Sequence, residues 1–390
     1  MKNESFSRRN FLTGALAALP VALTARELLA QNSNAPLAPI MRGREPENLE
    51  FPFDLESFWT HKDRFFTSST FEIVRRGNRD WRLQVEGAVS RPFELTYEEL
   101  IKMPSRTIGA VLEDPGNNRA YINAEGTPWG MGAVGCAQWT GVPLADVLQR
   151  AGLRPEGIEV IIESAEAGEI RAGSNMPATP GRVNVARSLP IRKALSQDVL
   201  LAYKINNEDL PQHLGGPVRV VVPGWYGNAW VKWPQRVVVS GAPFEGYFQK
   251  FDATVWERRN GFAVLTPVTE LQPKAQIARP IFRERLRAKD VHRVYGAAWT
   301  GDAEITGVDV SGDDGKTWAQ ARLLDSPEGA GMYAWKLWEY QWPAPLKGGG
   351  YNIRARARDS KNREQPSQRD GDRRNWMISH IIPVPIDVYE

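Results

Sequence analysis

The chain has 390 residues, of which 42% are hydrophobic and 24% are charged, and its formal net charge at pH 7 is +3. This length allows two or three domains with substantial cores, whereas the small net charge and the lack of a long basic block argue against a nucleic-acid-binding class. The single cysteine excludes an intramolecular disulfide, paired zinc-binding cysteines and haem attachment through Cys-x-x-Cys-His.

The N-terminus carries two adjacent arginines, Arg8 and Arg9, before a short apolar segment that Pro20 interrupts. This order is typical of a twin-arginine export signal, and the segment is too short for a convincing membrane span. A basic start to an N-terminal helix is the alternative. We expect residues 1–30 to be a signal peptide and the mature chain to be periplasmic, with no membrane span. Twin-arginine export carries folded proteins, often with a cofactor already bound.

The next segment, residues 31–64, begins polar and rich in proline and predicts an extended N-terminal arm. From Trp81 apolar and polar residues alternate, which indicates a half-buried strand. Thr96 is a predicted N-cap of a short helix, and a second short helix ends at Gly152. Further apolar runs predict strands without a regular alternation of strand and helix, so residues 65–270 are expected to form an α+β domain.

The C-terminal part, residues 277–390, reads as strands separated by Gly/Asp turns such as "SGDDGKTW". In "YNIRARAR" Ile353 and Ala355 face one way, and a stripe of arginines faces the other. This pattern predicts an all-β, immunoglobulin-like sandwich without helices.

One loop raises a question about chemistry. The stretch "AVLEDPGNNR", residues 110–119, breaks an apolar run with an acid, a proline and a glycine. Asp, Pro, Gly and Asn are ordinary turn residues, so a surface turn is one interpretation. A ligand-binding loop is the other.

The run from Leu200 to Trp233, "LLAYKINNEDLPQHLGGPVRVVVPGWYGNAWVKW", resembles the sulfite oxidase family of molybdenum enzymes, closest to its sulfane dehydrogenase branch. The segments "GAVGCAQWTGVPLADVL", "ARSLPIRKAL" and "GAAWTGDAEITGVDVSGDDGKTW" resemble further elements of that family in the same order. The resemblance covers most of the chain from about Phe65 onward. It implies an α+β domain that buries Mo-molybdopterin, followed by an immunoglobulin-like dimerisation domain.

The resemblance also implies particular cofactor-binding residues. Arg219 and Lys232 match positions that hold the cofactor phosphate, which requires fixed cations. Trp230 and Val231 would add backbone contacts beside them. The pterin loop of the family aligns with five residues of this chain: Phe66, Thr67, Ser68, Ser69 and Thr70.

The loop at 110–119 matches the family element that carries the molybdenum-binding cysteine, but Asp114 stands in its place. The arginine and histidine of the family's pterin loop are likewise replaced, by Ser68 and Thr70. Three interpretations follow. Asp114 ligates molybdenum through oxygen, a donor that suits the metal in high oxidation states. Alternatively, Cys136 supplies a thiolate, since the resemblance implies that it follows Gly135 in a loop close to the site. In the third interpretation the chain binds the pterin, or merely keeps the fold, without oxo-transfer chemistry.

The sequence therefore predicts an exported molybdopterin oxidoreductase that acts on a small, sulfur-containing anion, and the replacements at Ser68 and Thr70 argue against sulfite as that anion. Asp114 and Arg119 are its expected catalytic residues, with Arg119 placing the anion beside the metal. Because no haem motif is present, electrons are expected to pass to a separate carrier such as a cytochrome c. The resemblance further implies a homodimer. A non-catalytic or pterin-binding scaffold is the alternative function.

Overall fold

A computed structural model describes residues 38–173 and 176–390 of the chain. The predicted signal peptide, residues 1–30, and the start of the predicted arm lie outside these residues. Pro39–Glu390 forms one compact unit. Within the described residues, every helix is too short or too polar to span a bilayer.

The segment predicted as an extended arm folds back on itself. Its strands β1 (Ile40–Arg44) and β2 (Glu47–Glu50) form an antiparallel hairpin. The hairpin is docked through Glu50, a buried carboxylate that accepts hydrogen bonds from the backbone N–H groups of Gly130 and Gly132 and pairs with Arg42. A buried carboxylate requires such partners, so this segment is part of the first domain and not a free arm.

The first domain is the predicted α+β domain. Its strands are β3 (Arg82–Gly87), β4 (Phe93–Thr96), β5 (Arg106–Glu113), β6 (Val134–Pro143), β7 (Glu159–Gly168), β8 (Val183–Pro190), β9 (Leu200–Ile205), β10 (Glu208–Asp209), β11 (Arg219–Val221) and β12 (Pro234–Ser240). Its helices are α1 (Tyr97–Leu100), α2 (Leu144–Ala151), α3 (Ile191–Ala194) and α4 (Tyr247–Phe251). One sheet has the order β10-β9-β6-β5 with β11 beside β9, and the other has the order β4-β3-β12-β7-β8.

Local sequence signals explain the short helices. Thr96 and Glu99 form a reciprocal capping box at the start of α1, as the predicted N-cap requires. Gly152 ends α2 with φ 73°, a left-handed conformation that favours glycine. The apolar face of α2, which includes Leu144 and Leu148, is fully buried in the core.

The register of β5 against β6 fixes which side chains face which core. Val111 lies opposite Cys136, and Leu112 lies opposite Gly135. Since successive residues of a strand point to opposite faces, Leu112 packs into the main core of the first domain. Val111 and Cys136 instead pack against Trp299 on the other face.

The C-terminal domain follows a hairpin of β13 (Thr254–Arg259) and β14 (Phe262–Pro267). Its strands are β15 (Lys274–Arg279), β16 (Arg285–Arg287), β17 (Val291–Trp299), β18 (Ile305–Ser311), β19 (Ala319–Gln320), β20 (Arg322–Leu323), β21 (Lys336–Pro343), β22 (Gly349–Asp359) and β23 (Val384–Tyr389). The sheets β15-β17-β21-β20 and β16-β23-β22-β18-β19 enclose a core that includes Ile353 and Trp338. The predicted β-sandwich is thereby confirmed. The arginines of β22 pair with acidic side chains such as Asp309.

A buried ion pair joins the two domains beside the 110–119 loop. The Lys274 Nζ lies 2.6 Å from the Glu113 Oε1, and the Trp299 Nε1 donates to the Glu113 Oε2 at 2.7 Å. Lys274 and Glu113 are both almost fully buried, at 3% and 1% side-chain exposure. The sandwich therefore fixes the residue that directly precedes Asp114.

Candidate active site

A cavity of about 300 Å³ lies in the first domain and is closed on one side by the C-terminal domain. Its walls come from the pterin-loop segment, the 112–119 loop, β8 and the chain between His213 and Lys232. Trp376 of the C-terminal domain adds to the wall. The structure thus brings residues that are far apart in sequence around one polar space.

Arg219 lies at one end of this cavity and is only 4% exposed. Its Nη1 donates to the Leu214 carbonyl at 2.9 Å and its Nη2 to the Trp230 carbonyl at 3.0 Å. The Nε has no hydrogen-bond partner among the described residues. Burial lowers the pKa of Arg219 to about 9, and no carboxylate of the described residues forms an ion pair that would oppose this shift.

Lys232 reaches the same end of the cavity. Its Nζ donates to the Ser68 carbonyl at 2.6 Å and to the Ser69 Oγ at 3.0 Å. Burial lowers the pKa of Lys232 to about 8, and the nearby Arg219 charge lowers it further, whereas Glu166 opposes the shift. We refer to Arg219 and Lys232 as the clamp. Within the described part of the chain, neither forms an ion pair with a carboxylate.

The backbone of the pterin-loop segment is held by two polar side chains. The Ser69 backbone N–H donates to the Asn48 Oδ1 of the N-terminal hairpin at 3.1 Å, and the Thr70 N–H donates to the Glu166 Oε1 at 2.8 Å. Phe66, Ser68, Ser69 and Thr70 line the cavity, as expected for that loop.

Thr67 is the exception within this segment. Both backbone polar groups of Thr67 pair with those of Leu49, and the residue is buried away from the cavity lining. The expected contact of Thr67 with a cofactor is therefore not supported by its position. The hairpin, which the sequence did not predict, accounts for the difference.

Trp230 and Val231 also line the cavity, but their carbonyl groups are already engaged. The Trp230 carbonyl accepts from Arg219, and the Val231 carbonyl accepts from the Val220 N–H at 2.8 Å. These two residues therefore shape the clamp and leave their carbonyls unavailable to a ligand.

Asp114 lies at the cavity wall in the turn that follows β5. Its Oδ1 accepts from the Gly116 N–H at 2.7 Å, and its Oδ2 accepts from the Ser68 hydroxyl at 3.0 Å. Burial raises the pKa of Asp114, whereas the Arg119 charge opposes that shift. The loop at 110–119 is thus a cavity wall and not a surface turn.

Arg119 packs over the same turn and is 2% exposed. Its Nη1 donates to the Thr127 carbonyl at 2.8 Å, its Nε donates to the Asn375 carbonyl at 3.1 Å, and its guanidinium lies 4.5 Å from the Trp376 ring centre. The Nη2 has no partner among the described residues. A Cβ at Gly116 would overlap the guanidinium, so the glycine is required for this packing.

The structure adds a pair that the sequence did not predict. Arg187 of β8 lines the cavity and forms an ion pair with Asp252, which directly follows α4. Both side chains lie at the same end of the cavity as Asp114 and Arg119. We refer to these four residues as the acid–arginine cluster. The only sequence signal was an arginine inside the apolar run "VNVARSLP", where a buried cation requires a partner.

Cys136, the alternative metal ligand, does not line the cavity. It lies in β6 on the face that packs against Val111 and Trp299, and not in a loop close to the site. Burial raises the pKa of its thiol strongly, which disfavours a thiolate. The strand register therefore contradicts the interpretation that Cys136 replaces the missing cysteine.

Two family models match the chain. Residues 70–248 match an oxidoreductase molybdopterin binding domain, and residues 266–380 match a Mo-co oxidoreductase dimerisation domain. Together these matches cover the two domains that the structure shows.

Individual proteins agree with these matches. Sulfite oxidase from Gallus gallus is 33% identical over 343 residues, which cover 84% of this chain and 72% of that protein. The mitochondrial sulfite oxidase of Drosophila melanogaster is 30% identical over 349 residues, and the match spans 58% of its length. The crystal structure of the sulfane dehydrogenase SoxCD from Paracoccus pantotrophus superposes with a TM-score of 0.74 at 25% identity, covering 98% of this chain and 92% of that one.

Proposed function

Because the chain belongs to the sulfite oxidase family of molybdopterin-dependent oxidoreductases, we propose that it is an exported enzyme that oxidises a small sulfur-containing anion and passes the electrons to a separate carrier. The family and the cofactor predicted from the sequence are confirmed by the matches. The observation that carries the proposal is a cavity with buried cations at both ends and a carboxylate, Asp114, in its wall.

The residues present fit the cofactor of the family, Mo-molybdopterin. The clamp holds two desolvated cations without carboxylate partners, and the Arg219 Nε lacks a hydrogen-bond acceptor among the described residues. Leaving such groups unpaired is costly, whereas a phosphate would satisfy both of them. The clamp would therefore hold the cofactor phosphate. When bound, the cofactor supplies two-electron oxo-transfer chemistry.

Asp114 is the proposed protein ligand of the metal. The Gly116 N–H and the Ser68 hydroxyl each donate a hydrogen bond to its carboxylate, and these two bonds fix the rotamer of the side chain. A carboxylate oxygen is a harder donor than the thiolate it replaces, which alters the redox potential and the preferred substrate. Arg119, with an unused N–H beside this carboxylate, would bind the anion and stabilise charge that develops on it.

The remaining parts of the proposal rest on the sequence and the relatives. The Arg8-Arg9 motif supports export by the twin-arginine pathway to the periplasm. The match to a dimerisation domain supports a homodimer. Sulfite and sulfane sulfur in the names of the relatives support a sulfur-containing substrate. Since one cysteine rules out Cys-x-x-Cys-His attachment of haem, a separate cytochrome c is the proposed electron carrier.

A second function is favoured by one observation, the aspartate at the position of the family's metal-binding cysteine. A homologue that binds the pterin without oxo-transfer would act as a scaffold for a partner protein. Measurements on the exported protein separate the two functions. We expect about one molybdenum and one pterin per chain, and reduction of cytochrome c or ferricyanide with sulfite or thiosulfate.

Two variants test the metal ligand in the same experiment. Asp114→Ala should lose molybdenum and activity, whereas Cys136→Ser should keep both, since the thiol lies outside the cavity. Stoichiometric pterin without molybdenum or turnover in the wild-type protein would establish the scaffold function instead. Loss of molybdenum from Cys136→Ser but not from Asp114→Ala would reject Asp114 as the ligand.

A further inference from the structure

The buried guanidinium of Arg187 has a donor that its structural contacts do not use. The side chain is 5% exposed. Its Nη1 donates to the carbonyls of Phe248 and Asp252, and its Nη2 pairs with the Asp252 carboxylate. The Nε has no partner among the described residues, although the side chain lines the cavity. The two Nη atoms fasten β8 to α4 and the residue that follows it, and the Nε takes no part in these contacts.

Asp252 connects this arginine to the rest of the acid–arginine cluster. Burial lowers the pKa of Arg187 and that of Arg119, and the Asp252 charge opposes both shifts. Burial raises the pKa of Asp114, and the Asp252 charge adds a smaller effect in the same direction. Asp252 is thus close enough to act on all three side chains, and all four residues line the same cavity. Arg187 and Arg119 therefore approach one region from two walls, β8 and the 112–119 loop.

Each of the two arginines contributes one buried N–H without an acceptor, the Nε of Arg187 and the Nη2 of Arg119. Buried donors are almost always paired, and two from separate guanidinium groups in one cavity fit an oxyanion with more than one oxygen. Water could satisfy each of these donors separately. A single oxyanion can accept hydrogen bonds from both guanidinium groups at once, and its bonds to them are charge-assisted.

We propose that Arg187, held in place by Asp252, is a substrate-binding residue that forms with Arg119 an oxyanion site for a small tetrahedral or pyramidal sulfur oxyanion. The inference rests on the proposed function and deepens it. The family resemblance places a substrate arginine where this chain has Ser68, and that serine bonds Asp114. Arg187 supplies a cation to the cavity from the opposite wall.

The test uses the cofactor-loaded wild-type protein and two variants. Arg187→Lys keeps a cation that can pair with Asp252 but lacks the Nε. Arg187→Gln combined with Asp252→Asn removes both charges. This double variant leaves no unpaired carboxylate, so it serves as the second test if a change at Arg187 alone destabilises the protein. Arg356→Gln is the matched control, because Arg356 also pairs with an aspartate, Asp309, but lies in the sandwich away from the cavity.

Two readouts are measured on each protein: the dissociation constant of sulfate by titration calorimetry, and KM and kcat for sulfite. A lost hydrogen bond to a charged group predicts that both Arg187 variants weaken sulfate binding and raise KM by about tenfold or more. The kcat should stay within about threefold, since Arg187 binds the anion and does not hold the metal. Arg356→Gln should match the wild-type protein.

The proposal is overturned if both Arg187 variants bind sulfate and sulfite within about twofold of wild type while Arg119→Gln binds them weakly. It is also overturned if the wild-type protein binds neither anion. Sulfate binding without turnover of sulfite or thiosulfate would reject the proposed function, whereas the calorimetric comparison would still decide the role of Arg187.

Discussion

The two ends of the cavity differ in how far nearby carboxylates compensate their buried positive charge. At the clamp, Arg219 and Lys232 have carbonyl and hydroxyl partners but no ion-pair partner in the described part of the chain, and burial lowers both pKa values. At the acid–arginine cluster, Arg187 forms an ion pair with Asp252, and the Asp114 charge acts on Arg119 as the Glu166 charge acts on Lys232. With two cations and one nearby carboxylate, the clamp keeps an excess of positive charge, whereas the two arginines and two aspartates of the cluster are close to neutral.

This difference matches the residence time of the ligand that each end is proposed to hold. A cofactor that stays bound can provide permanent compensation for two desolvated cations. A substrate and its product must enter and leave, so a site with large uncompensated charge would retain them. Local carboxylates leave enough attraction for an oxyanion without trapping it.

The largest expected effect on the free energy of unfolding comes from the buried Lys274–Glu113 ion pair, which belongs to neither end of the cavity and serves as a reference. Lys274→Met leaves Glu113 buried without its cation, which should lower the unfolding free energy by about 3–5 kcal/mol. Denaturation of the loaded and the cofactor-free protein should show the same loss. A much larger loss in one of the two forms would mean that this pair is coupled to the cavity. Adding Glu113→Gln should recover part of the stability.

A smaller effect is expected on cofactor binding at the clamp. Lys232→Met removes a charged donor, worth about 1.5–3 kcal/mol, and should weaken cofactor retention by about tenfold to a hundredfold. Pterin and molybdenum content after purification measure this. Lys193→Met is the control, because Lys193 is also a partly desolvated lysine that donates to a backbone carbonyl, but it lies outside the cavity lining. Equal loss of cofactor from both variants would show that cofactor retention does not depend specifically on the clamp.

The pH dependence of stability provides a third test. The pKa of Lys232 is about 8 in the folded protein and about 10.5 when unfolded, so between these values the unfolded state holds a proton that the folded state has released. Raising the pH through this range should therefore stabilise the cofactor-free protein. Between about pH 8 and pH 9 this slope should be reduced in Lys232→Met, whereas above pH 9 a slope should remain, because Arg219 has a pKa of about 9 in the folded protein and also contributes. The slope should also be reduced in the loaded protein, where phosphate favours the charged lysine. Chemical denaturation at several pH values measures it.

The smallest expected effect is stabilisation by inorganic phosphate. Phosphate at about ten times its dissociation constant should add about 1.4 kcal/mol to the unfolding free energy of the cofactor-free protein. Most of the gain should be lost in Lys232→Met and most of it kept in Arg119→Gln, because the carboxylates of the acid–arginine cluster weaken phosphate binding there relative to the clamp. If Arg119→Gln loses the gain and Lys232→Met keeps it, the assignment of the two ends is reversed.

Much of the fold could be predicted because its signals are local. The capping box of Thr96, the glycine after α2 and the alternation along β22 each depend on neighbouring residues, and the structure has all three. The N-terminal hairpin was missed because its buried residue, Glu50, is satisfied by a loop about 80 positions away, at Gly130.

The site was predictable only in part, because some of its residues meet only through contacts between distant parts of the chain. The clamp residues lie within one quoted motif, whereas Arg187 and Asp252 meet through tertiary contact between β8 and the end of α4. Trp376 reaches the cavity from the other domain, which no motif of the first domain could indicate. Cys136 was misplaced because one strand register decides which of the two cores its side chain enters.

The enclosed position of Cys136 has a practical consequence. It is the chain's sole sulfhydryl, and it is sealed inside a protein core, so alkylating reagents should leave the folded molecule unmodified. A cysteine introduced at position 114 would then be the single thiol accessible to labelling, and its protection from reagent would report directly on whether the neighbouring metal is in place.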